Sequence, residues 1–96
     1  MDTMASESTA TEQHAKSQTL LVEFLQADLD LAFTILRTAE IERGSDTRHC
    51  LAATEKVRAA ISTVRRLQGR VEDSRTWTLI QNRADELQYA LEKFLG

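Results

Sequence analysis

Residues 24–33 read FLQADLDLAF. Taken alone, the central DLDL alternates polar and apolar residues, as a half-buried strand does. Its surroundings decide otherwise. Leu20-Leu21-Val22 before it and Ala32-Phe33 after it break a period of two. On a helical wheel at about 100° per residue, the same region resolves into two apolar seams. One is Leu20, Phe24, Leu31, Ile35; the other is Leu25, Leu29, Ala32, Leu36, Ala39. A helix with two seams faces two neighbours, which predicts one member of a three-helix bundle. Together the seams span roughly 200°, wider than the stripe of an ordinary surface helix. The remaining edge, Val22, Leu29 and Phe33, exceeds what two neighbours cover and is predicted to be a surface for self-association or a partner helix.

The two aspartates separate on this wheel. Asp30 falls on the polar side, near Glu23, Gln26 and Arg37, and reads as a solvated acid. Asp28 falls between the seams and points inward. A buried carboxylate needs a partner or must be neutral. Arg83 lies inside the apolar arc of the last helical segment, at a matching height if the first and third helices run parallel. Asp28 and Arg83 are therefore predicted to form a buried polar pair. It would act as a register pin or as the polar spot of a groove that takes a helix or a small anion.

Two further segments carry strict helical spacing. Cys50, Ala53, Val57, Ala60, Val64 and Leu67 advance in alternating steps of three and four, as do Trp77, Ile80, Ala84, Leu87, Leu91 and Phe94. Gly44-Ser45-Asp46 can stop one helix and cap the next, Gly69 sits near the second stop, and Glu72-Asp73-Ser74 supplies a third start. The predicted fold is all-α: an antiparallel three-helix bundle over residues 16–96, with helices at 16–43, 46–69 and 74–95. Residues 1–15, MDTMASESTATEQHA, hold Ser, Thr, Ala and acids without an apolar period and read as a disordered tail.

The net charge of −3 is unevenly placed. Residues 44–71 carry six bases against two acids, between two acidic flanks. Attraction among the helices of a bundle accounts for this arrangement. A nucleic-acid-associated role for the basic second helix is the alternative, but no aromatic interleaves with Arg48, Lys56, Arg58, Arg65, Arg66 and Arg70, and the pI is near 5.3.

One cysteine, Cys50, excludes an internal disulfide and suits a reducing, cytoplasmic setting. No apolar run approaches the length of a membrane span. His49 and Cys50 are neighbours pointing about 100° apart on a helix, His14 lies in the tail, and no i, i+4 ligand pair suggests a metal. No phosphate loop, nucleophile elbow or His-Glu-x-x-His occurs. With a thin core and no catalytic constellation, neither an enzyme nor a cofactor is expected.

The small-residue face Ala53-x-x-x-Val57-x-x-Ala60-Ile61 resembles the second helix of a tetratricopeptide-type hairpin, and with RADELQYALEKFL (83–95) following, residues 20–95 look similar to the three-helix MIT (microtubule-interacting and transport) class. No second repeat follows, which excludes a repeat array. The resemblance implies a peptide- or helix-binding adaptor with a groove between helices. The expected function is thus a non-enzymatic protein-interaction or assembly module, with a small-ligand site around Asp28 and Arg83 as another alternative.

Overall fold

A computed structural model describes residues 2–44 and 47–96, with side chains from residue 9 onward. It contains three helices: α1 (Asp2–Ile41), α2 (Thr47–Gln68) and α3 (Ser74–Leu95). All three pack against one another. Cross-links give their directions. Cys50 at the start of α2 meets the Ala39 carbonyl near the end of α1, and Gln18 meets the turn that follows α2, so α1 and α2 are antiparallel. Arg65 and Gln68 of α2 meet Asp85 and Gln81 of α3 in reverse order, so that pair is antiparallel too. The antiparallel three-helix bundle predicted from the seams is the observed fold.

The core is one cluster. Leu25, Leu29, Ala32, Leu36 and Ala39 come from α1; Ala53, Val57, Ala60, Ile61 and Val64 from α2; and Ile80, Ala84, Leu87, Leu91 and Phe94 from α3. The seams of α2 and α3 are therefore close to their predicted composition. The seam ends are the exceptions: Cys50 and Leu67, first and last in the seam of α2, are half-buried, and Trp77, first in the seam of α3, remains 39% exposed.

Chain ends and turns follow local chemistry. Gly44 closes α1 at φ +94°, a conformation that favours glycine. The predicted Ser45-Asp46 cap lies outside the described residues. Asp73 caps α3: its Oδ2 accepts from the Thr76 amide at 2.9 Å and from the Thr76 hydroxyl at 2.7 Å. These bonds hold the Asp73 carboxyl below its ordinary pKa. At the other end, the Arg43 guanidinium donates to the Phe94 carbonyl and lies 4.6 Å from the centre of the Phe94 ring, placing positive charge at the C-terminus of α3.

α1 starts at Asp2, well before the predicted boundary at residue 16. No glycine or proline interrupts residues 2–41, and the alanine-, glutamate- and glutamine-bearing leader propagates a helix already nucleated by the packed part. Residues 9–17 are exposed throughout, so residues 9–15, part of the leader read as a disordered tail, are helical yet add nothing to the core. Its root is anchored. His14 Nε2 lies 2.7 Å from Glu72 Oε2, and the Gln18 amide donates to the Arg70 carbonyl (2.9 Å) while accepting from the Glu72 amide (3.0 Å).

Candidate interaction surface

The edge predicted to be uncovered is covered. Leu29 is completely buried in the core, and Val22 and Phe33 are half-buried against it. Phe33 also has the Arg83 guanidinium over its ring, 5.5 Å from the centroid. The reason is geometric. In a triangle of three packed helices, the two neighbours of α1 lie only about 60° apart. One wedge of α1, centred on Leu29 and Leu36, therefore serves both α2 and α3. The second seam is left over.

That second seam is the exposed one. Leu20 is 59% exposed, Phe24 50% and Leu31 58%, with Ile35 half-buried beside them. The missed signal was in α2: Ala52, Ala59 and Thr63 lie beyond its buried seam, small residues that with Lys56 make a low wall facing the left-over seam. The two strips frame a shallow groove of about 320 Å³ between α1 and α2, lined on the α1 side by Phe24, Leu31 and Ile35 and on the α2 side by Ala59, Ala60 and Thr63.

The predicted Asp28–Arg83 pair does not form. Arg83 Nη2 donates to Asp30 Oδ1 at 2.6 Å, and its Nη1 donates to Gln26 Oε1 at 2.6 Å. Asp30 is exposed as expected, its side chain 68% open to solvent, yet it and not Asp28 is the partner, so the salt bridge joins α1 to α3 at the surface rather than in the interior. Gln26, Asp30 and Phe33 share one side of the α1 wheel; Asp28 lies on the opposite flank of the core wedge. A small-ligand site shared by Asp28 and Arg83 therefore has no geometric basis.

Asp28 instead lines the α1–α2 groove, together with Lys56. It is half-buried, and this burial raises its carboxyl above the ordinary pKa. Neither Asp28 nor Lys56 has a hydrogen bond or ion pair among the described residues. The groove therefore carries one acid and one base on an otherwise apolar and small-residue surface.

The remaining chemistry-bearing residues are engaged locally or dispersed. Arg65 pairs with Asp85 at 2.7 Å, and His49 with Glu42 at 3.0 Å. Cys50 is half-buried, its thiol 3.7 Å from the Ala39 carbonyl. Among the described residues, no three His, Cys, Asp or Glu side chains are grouped to hold a metal, and no helix is long and apolar enough to cross a membrane. No protein-family model, curated protein or solved structure matches this chain.

Proposed function

We propose that this chain is a non-enzymatic interaction or assembly module, cytoplasmic in setting, that receives an apolar helix in the α1–α2 groove. One observation carries the reading: Phe24 and Leu31, each at least half exposed, line the groove opposite small residues of α2, and Leu20, 59% exposed, continues their strip along α1. Single exposed leucines are ordinary, but an aligned apolar strip beside a groove has the form of a helix-docking surface. Small residues on the facing wall let a docked backbone approach closely. The long α1 supplies the rigid rail. The basic α2 offers less to a nucleic acid: Arg65 is committed to Asp85, and the groove itself is mainly apolar.

Titration of isotope-labelled protein with a net-neutral amphipathic Leu/Ala/Glu/Lys helix tests this function by NMR. The expected amide shifts centre on Phe24, Leu31, Ala59 and Thr63. The double change Phe24→Gln and Leu31→Gln should abolish them while the circular dichroism spectrum stays that of the folded bundle, because about half of each side chain is already exposed. Shifts scattered over the surface, or centred on α3, would sink the reading.

A further inference from the structure

We propose that the occupant of the groove is a second copy of this chain, in a two-fold antiparallel dimer in which Asp28 of each copy meets Lys56 of the other. The inference rests on the groove receiving a helix and adds the identity of that helix.

The seam is complementary to itself. Leu20 and Phe24 lie on one side of Asp28, Leu31 and Ile35 on the other, at nearly equal distances along α1. Turning a second α1 end for end about a point beside Asp28 sets Phe24 against Leu31 and Leu20 against Ile35 of the other copy. This is what an isologous interface requires: one patch that fits its own image. A second helix displaced by about one turn would bring Asp28 against leucine or phenylalanine, and a parallel one in register would stack Asp28 directly on its own copy and send both N-terminal extensions out at the same end.

Charge supports the same arrangement. Asp28 and Lys56 are the only charged residues lining the groove, they have opposite signs, and among the described residues both are unpaired within the chain. A two-fold operation presents each to its opposite twice. The two aspartates approach the axis and the two lysines neutralise them, forming a polar layer in an apolar seam, a device that fixes register at some cost in stability. The area is adequate but modest. From Leu20 to Ile35 the seam runs roughly 24 Å at about 1.5 Å per residue. With the bundle 21 × 17 Å in its shorter extents, the face offers on the order of 500 Å² per copy, near the lower end for specific interfaces. A dimer that dissociates on dilution is expected. The exposed N-terminal part of α1 is no obstacle, since the antiparallel arrangement sends the two extensions out at opposite ends.

Charge exchange tests the pairing, with mass read by sedimentation equilibrium across a dilution series and folding read by circular dichroism. The wild-type chain should pass from monomer to dimer as concentration rises. Asp28→Lys alone and Lys56→Glu alone each place like charges across the axis, and each should weaken the dimer about tenfold or more. An equimolar mixture of the two variants should recover the wild-type mass. In the mixed dimer the introduced lysine of one copy meets the introduced glutamate of the other, and the native Asp28 and Lys56 that remain meet each other across the axis. Recovery in the mixture would not occur if Asp28 and Lys56 acted only within one chain. Should either charge variant misfold, Leu31→Gln replaces it and must lower the mass with an unchanged spectrum. A wild-type chain that stays monomeric at millimolar concentration, variants that dimerise normally, or a mixture that fails to recover would each overturn the dimer. Amide shifts with the amphipathic peptide alongside a monomeric chain would leave the docking function standing and reject only the second copy.

Discussion

Two aspartates sit in opposite electrostatic situations, and pH separates them. Burial disfavours the Asp28 carboxylate and raises its pKa, so folding costs it something at neutral pH. The sign follows from proton uptake: the folded chain holds the Asp28 proton more tightly than the unfolded one. The contribution of Asp28 is therefore most favourable below the ordinary value of 3.8 and is lost as pH rises through its higher folded pKa. Asp73 behaves in reverse. Its bonds to Thr76 favour the carboxylate, so its contribution is present above 3.8 and lost as pH falls through its lower folded pKa. Asp28→Asn should raise the thermal midpoint slightly at pH 7, by about 1–3 °C given the partial exposure of the site, and the gain should vanish by about pH 3. Asp73→Asn should lower the midpoint at pH 7 and make no difference in strong acid. Differential scanning calorimetry of dilute protein from about pH 3 to 7 checks both, and parallel curves for the two variants would contradict the assignment.

At the scale of elements, α1 has two parts with different work. Beyond Gln18 it builds the core; before His14 it projects from the bundle. Gln18 marks the joint, because its amide satisfies both the Arg70 carbonyl and the Glu72 amide in the α2–α3 turn. Removing residues 1–13 should reduce helical ellipticity yet leave the midpoint within about 2 °C, whereas Gln18→Ala should cost about 1 kcal/mol by removing two hydrogen bonds that tie α1 to the turn. Chemical denaturation followed by circular dichroism distinguishes the two outcomes. The sequence made the element types plain, since strict alternation of three and four over Cys50–Leu67 and Trp77–Phe94 fits only a helix. It made the start of α1 hard to place. A leader without apolar period carries no sign of where a propagating helix stops, and no glycine or proline stands there to mark it.

At the scale of the whole molecule, the bundle was legible but its uncovered face was not. Both seams of α1 could be read from FLQADLDLAF and its flanks. Which seam remains outside depends on how α2 and α3 sit around α1, and a single wheel does not contain that rotation. An uncovered edge at Val22, Leu29 and Phe33 requires the two neighbours to stand far apart; close packing moves them onto one wedge and leaves Leu20, Phe24 and Leu31 exposed. The Asp28–Arg83 pairing failed for the same reason. Matching height along the axis was insufficient, because Asp30 and Gln26 lay on the flank facing α3 and Asp28 on the flank beside α2.

The projection of α1 also changes how the particle moves through a solvent. Its radius of gyration is 17.7 Å and its extents are 67 × 21 × 17 Å, against about 12 Å for the radius of a compact chain of this length. A rod of this kind has excess friction for its mass. On a size-exclusion column a single chain should therefore elute ahead of globular standards of 10.8 kDa, at a volume easily mistaken for that of a pair. Removing the projection should delay elution by more than the lost mass explains. Elution volume thus reports the reach of one helix, and only a direct weighing of the particle counts the chains in it.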